Sequence, residues 1–129
     1  MTRYIVDAYA WIEYFRGSPK AQEFRKLLMN SENNFITCDC TVAEIRLWAI
    51  RVNQDFNELF RVVQSNSSLS PITLHDWLNA AIARQKMRKT RERFGLIDAL
   101  LLVKQREFKC RLISGDVHFN DLPAVIFLA

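Results

Sequence analysis

Short, almost wholly apolar runs alternate along this chain with longer stretches of helical period, and each change of period marks an element. Arg3-Tyr4-Ile5-Val6 reads as a strand and Ala8 to Arg16 as a helix that stops at Gly17-Ser18-Pro19. Pro19 suits the first turn of a second helix reaching about Asn30. The polar run from Asn30 to Asn34 predicts a loop, and Phe35 to Cys38 a second strand. Thr41 opens a helix with an apolar stripe at Val42, Ile45, Ala49 and Val52, and a further helix is expected from about Asp55 to Gln64. Ser70 to Leu74 reads as a weaker strand. A long helix from Asp76 is expected to continue through the basic segment and end before Gly95. Leu96 to Phe108 is a strongly apolar helix, Arg111 to Ser114 a strand, and Val125 to Leu128 a final strand.

Short buried-type strands alternating with helices are the pattern of a parallel sheet covered on both faces. The expected fold is one α/β domain over residues 1–129, with three layers, α/β/α, and a mostly parallel central sheet.

In open parallel sheets, ligands bind beyond the carboxyl ends of the strands. Asp7 directly follows the first strand, and Asp116 follows the Arg111–Ser114 strand after one glycine. Glu44 and Asp98 are expected in the first turns of helices that begin at that same edge. Four carboxylates from distant parts of the chain are thus predicted to converge.

Each has a plainer role open to it. Asp7 suits the cap of the helix at Ala8, and Thr41-Val42-Ala43-Glu44 fits a capping box. Asp98 in a first turn interacts favourably with the helix dipole, and Asp116 after Gly115 is an ordinary turn residue. Their shared location favours the other reading. Two carboxylates about 4 Å apart repel by about 4 kcal/mol at an effective dielectric near 20, so a cluster raises its own pKa values unless a cation intervenes. Oxygen ligands select Mg²⁺ or Mn²⁺, which points to metal-assisted phosphodiester hydrolysis.

Composition narrows the alternatives. No apolar stretch approaches the roughly 18 residues of a membrane helix, and Met1-Thr2-Arg3 leads directly into a strand-like run, so a cytoplasmic protein with no membrane association is expected. The three cysteines, Cys38, Cys40 and Cys110, lack the usual zinc spacing and read as reduced, buried thiols. A net charge of +4 favours an anionic partner only weakly. Its distribution says more, because Arg84, Lys86, Arg88, Lys89, Arg91 and Arg93 crowd one segment, which is either a solvated helix face or a phosphate-facing surface. His118 and the three tryptophans, Trp11, Trp48 and Trp77, receive no catalytic role.

Four segments resemble the signature blocks of PIN domains, above all those of VapC-type toxins. They are Tyr4-Ile5-Val6-Asp7-Ala8, Thr41-Val42-Ala43-Glu44-Ile45, Gly95-Leu96-Ile97-Asp98-Ala99-Leu100 and Ile113-Ser114-Gly115-Asp116-Val117-His118-Phe119. The resemblance implies a Mg²⁺- or Mn²⁺-dependent endoribonuclease, often a homodimer, inhibited by a small antitoxin protein. It further implies direct metal contacts from Asp7, Asp98 and Asp116, with Glu44 either a ligand or a group that positions the attacking water without touching the metal. Ser114 stands where the family has Thr or Ser, there to orient the last carboxylate or a phosphate. The RNA substrate is expected to be bound through its phosphates by residues such as Arg88, Lys89, Arg91 and Arg93. The chain departs from the family at His118, where many members carry a further acidic residue, which bears on the number of metal ions.

Other readings compete. A PIN nuclease of RNA maturation or decay would keep the fold without the antitoxin. A phosphoacceptor signalling domain would need paired acids after the first strand and a Lys after the last full βα step, and this sequence has neither. A protein-binding module with a vestigial acidic cluster is the third.

Overall fold

The computed structural model describes residues 2–129. Five strands, β1 (Thr2–Val6), β2 (Asn33–Cys38), β3 (Ser68–Ser70), β4 (Arg111–Ser114) and β5 (Val125–Phe127), form one sheet in the order β3-β2-β1-β4-β5. Every neighbouring pair is parallel. Six α-helices connect them: α1 (Ala8–Phe15), α2 (Gln22–Met29), α3 (Asp39–Val52), α4 (Phe56–Asn66), α5 (Leu74–Met87) and α6 (Leu96–Phe108). Short 3₁₀ turns cover Pro19–Ala21 and Val117–Phe119.

Alternation along the strands builds two cores. Tyr4 and Val6 of β1 and Ile113 of β4 face one way and pack with Trp11, Phe24, Phe35, Ile45 and Val63. Ile5 and Leu112 face the other way and pack with Ala80, Phe94, Leu100, Leu101 and Phe119. Both faces of the strands are therefore buried, which is why they read as unbroken apolar runs. The three-layer α/β/α arrangement expected from the sequence is what the chain adopts. Trp11 is fully buried and donates its indole N–H to Thr37 Oγ1 at 3.1 Å, tying α1 to β2.

Four local expectations are corrected. The third strand is Ser68–Ser70, not Ser70 to Leu74, because Thr73 and Asp76 cap one another reciprocally and start α5 at Leu74. Helix α3 begins two residues before Thr41, at Asp39, whose carboxylate accepts the Ile72 N–H at 3.1 Å. Thr41 is consequently a buried residue inside the first turn, and Glu44 falls in the second turn with no capping-box role. Helix α5 stops at Met87, and the basic segment after it turns back on itself: Arg88 Nε donates to Phe94 O at 2.9 Å. The cysteines are free, but only Cys38 is buried while Cys40 and Cys110 are partly exposed. Among the described residues, no helix is long and apolar enough to cross a membrane.

Candidate active site

The strand order places the reversal of winding between β1 and β4: the chain proceeds outward from β1 through β2 to β3, then crosses back to β4 on the other side. At such a switch point the flanking loops part and leave a crevice beyond the carboxyl ends of the two strands. The residues that emerge there are Asp7 from β1 and Ser114-Gly115-Asp116 from β4.

Asp7 does cap α1, its Oδ1 accepting the Ala10 N–H at 2.9 Å. Capping does not exhaust it. The carboxyl is 4% exposed, and burial pushes its pKa up to about 7 against the lowering influence of the Ser114 hydroxyl and the Ala10 amide, with the charges of Asp116 and Glu44 raising it further. Ser114 is fully buried, and its Oγ accepts the Asp116 N–H at 3.0 Å, so one hydroxyl links the first and last acids. Between Ser114 and Asp116 only glycine fits, because a Cβ on Gly115 would lie 2.7 Å from Leu128 O and 2.2 Å from the Tyr9 ring.

Asp98 occupies the first turn of α6, where Oδ2 accepts the Gly95 N–H at 3.0 Å. The same oxygen is 2.9 Å from His118 Nδ1, and that nitrogen is 3.5 Å from Asp116 Oδ1. Asp116 caps the 3₁₀ turn through the His118 N–H at 3.0 Å, which folds the histidine ring back over the site. One ligand atom from each of Asp98, Asp116 and His118 lies within 4.8 Å of the others. Glu44 reaches the same space from α3: burial, then the charges of Asp98 and Asp116, push its carboxyl up to about 7.

Acids with raised pKa values facing one another are a costly arrangement that a divalent cation relieves, and the donor set suits such an ion. Burial pushes the Cys38 thiol up to about 12 and the Cys40 thiol up to about 11, so both are protonated in the metal-free chain.

Asp98 and Asp116 are thus in one cluster, and Asp7 and Glu44 are coupled to it by charge. The sequence reading gave His118 no catalytic role, and the fold places it in the same cluster as Asp98 and Asp116, two residues beyond Asp116 where an acid is common in similar domains. The basic residues divide. Arg91 donates to His118 O at 3.3 Å and so braces the 3₁₀ turn, Arg88 is engaged with Phe94 O, and Lys89 and Arg93 are exposed.

Comparison with solved structures returns chains of the same fold. A toxin-antitoxin complex from Klebsiella pneumoniae superposes with a TM-score of 0.69 at 19% identity, covering 98% of both chains. VapBC2 from Rickettsia felis, bound to a DNA fragment from its promoter, gives 0.73 at 12% identity over 98% of this chain and 97% of that one. VapC20 of Mycobacterium tuberculosis, a toxin that cleaves the Sarcin-Ricin loop, gives 0.67 at 13% identity over 84% and 85%. No curated protein sequence matches. The PIN domain family model matches residues 4–125, from within β1 to the first residue of β5 and including every acid of the site, and the chain belongs to the PIN domain family.

Proposed function

We propose that this chain is a divalent-metal-dependent endoribonuclease and the toxin of a toxin–antitoxin pair. The observation that carries the reading is the convergence of Asp7, Glu44, Asp98 and Asp116 at the β1/β4 switch point, where burial and mutual repulsion call for a cation. Asp7, Asp98 and Asp116 would hold Mg²⁺ or Mn²⁺, and Glu44 either joins them or orients the attacking water. A cation held there would stabilise the charge that builds on a phosphodiester and its leaving oxygen. Ser114 ties the Asp7 carboxylate to the main-chain N–H of Asp116. The exposed Arg88, Lys89 and Arg93, with the partly buried Arg91, supply positive charge to RNA phosphates. The toxin reading is supported by the PIN match together with full-length likeness to chains crystallised in VapBC complexes, and implies a small antitoxin partner, a homodimer and action in the cytoplasm.

The test is incubation of purified protein with structured and unstructured RNAs in Mg²⁺, in Mn²⁺ and in chelator, beside Asp98→Asn. Cutting that requires metal and disappears in the variant is expected; intact RNA under every metal and substrate would overturn the nuclease. Expression should arrest growth and a short neighbouring open reading frame should relieve it, whereas growth without arrest favours a nuclease of RNA maturation or decay.

A further inference from the structure

The acids of the site come from four separate segments, and a histidine side chain contacts two of them. His118 Nδ1 is 2.9 Å from Asp98 Oδ2 and 3.5 Å from Asp116 Oδ1. Adjacent ligand atoms of an octahedron with bonds of about 2.1 Å lie about 3 Å apart. The Nδ1–Asp98 separation matches that spacing, the Nδ1–Asp116 separation is slightly longer, and all three atoms lie within 4.8 Å of one another, close enough to share one cation. The ring is held in this orientation from several sides. Its main-chain N–H is fixed by Asp116 Oδ1 at 3.0 Å, its carbonyl by Arg91 at 3.3 Å, and its face is set beside the buried Phe94 ring with centroids 6.3 Å apart. In the metal-free chain Nδ1 is hydrogen-bonded to Asp98 Oδ2, which already points the ring into the acid cluster.

We infer that His118 is a nitrogen ligand of the metal centre and gives it a preference for Mn²⁺ over Mg²⁺. The inference rests on the metal-centre reading above and adds to it an assignment that the acids alone do not make. The chemistry follows from ligand type. Mg²⁺ is a hard ion that dehydrates reluctantly and gains little from exchanging a water for imidazole. First-row transition ions gain more from a nitrogen donor, and Mn²⁺ is the member of that series that also accepts a carboxylate-rich shell. An acidic side chain at position 118 would leave an all-oxygen centre that favours neither ion in this way.

The experiment is pulsed electron paramagnetic resonance of the full chain loaded with Mn²⁺ alone, paired with calorimetric affinities for Mn²⁺ and Mg²⁺. Nitrogen-14 modulation from a bound imidazole is expected in the wild type and in His75→Gln, the other histidine of the chain being His75. It should vanish in His118→Asp, which still binds Mn²⁺ but discriminates it from Mg²⁺ about tenfold less well. Circular dichroism of the metal-free variants establishes that each is folded. Mn²⁺ binding that depends on Asp98 but shows no nitrogen coupling would overturn the His118 assignment and leave the carboxylate centre standing. Mn²⁺ that fails to bind, or binds equally to Asp98→Asn, would overturn the centre itself and this inference with it.

Discussion

Asp98 Oδ2 and His118 Nδ1 meet at 2.9 Å across the mouth of the β1/β4 crevice, and the same Asp98 oxygen accepts the Gly95 N–H at 3.0 Å. One atom thus caps a core helix and faces the site. The two duties separate on substitution, because an amide still offers an oxygen to Gly95 but carries no charge. Asp98→Asn should cost about 1 kcal/mol of stability, in the range of a weakened cap, by urea denaturation. RNA cleavage by the same preparation should fall about 100-fold or more. A stable variant that cuts normally would remove Asp98 from the chemistry.

The raised carboxyls make stability and metal binding depend on pH with a definite sign. Asp7 moves from 3.8 to about 7 and Glu44 from 4.5 to about 7, both chiefly through burial. Between these limits the folded chain retains protons that the unfolded chain has lost, so metal-free stability declines as pH rises from about 4 through 7 and levels off above about 8. Loading a divalent cation needs both groups ionised. At pH 6 binding should release roughly one to two protons, and at pH 8 markedly fewer. Calorimetry in two buffers of different ionisation heat reads this directly, and pH-independent proton release would contradict it.

Gly115 is confined by space and Gly17 by backbone angle, and alanine at each tests the difference. A Cβ on Gly115 meets Leu128 O at 2.7 Å, and Leu128 N–H in turn bonds Ser114 O at 2.8 Å, so relief requires the end of the sheet to move. Gly17 has nothing within 4 Å but sits at φ +67°. Gly115→Ala should cost about 2 kcal/mol or more, and Gly17→Ala about 1 kcal/mol. At about 4 °C per kcal/mol, the Gly115 variant should show the larger drop in Tm. Its nuclease activity should fall as well, since Ser114 and Asp116 flank the displaced turn.

What could be read from the chain, and what could not, follows from the range of the interactions involved. Asp7 and Asp116 were visible because strand ends and an open parallel sheet fix their place whatever else packs nearby. The start of α3 was not, since Asp39 is held by the Ile72 amide across 33 positions, and no local pattern records that bond. The basic segment scores as helix by propensity, yet Arg88 and Arg91 reach Phe94 and His118 carbonyls and fold it into turns. Lys104 was hidden in the same way within the apolar α6. It is 4% exposed, because Asp76 on the neighbouring helix meets it at 2.9 Å and Glu107 at 2.8 Å.

That buried pair carries its own prediction. Lys104→Met preserves volume but leaves the Asp76 carboxylate, 6% exposed, without its cation. Removing one partner of a buried ion pair costs about 3 kcal/mol or more, far beyond the loss from a surface lysine. Urea unfolding should show the midpoint shift with an unchanged slope. Cleavage per folded molecule should stay near wild type, because Lys104 belongs to the α5–α6 packing and not to the crevice.

The basic turn holds two kinds of charge, exposed side chains free to meet an anion and one that braces the site. Lys89 and Arg93 are exposed, while Arg91 is partly buried and bonded to His118 O. If the turn meets phosphates, Lys89→Ala and Arg93→Ala should leave Tm and kcat near wild type and raise KM. Each should also flatten the salt dependence of binding to single-stranded RNA by about 0.7 in log–log slope. Arg91→Ala should behave differently: losing the brace on the 3₁₀ turn frees His118 and Asp116, so kcat falls and metal affinity weakens along with RNA binding. Kinetics across a salt series, run beside metal titrations of the three variants, distinguishes the two patterns. Identical salt-sensitive losses in all three would mean that Arg91 serves only as another phosphate contact.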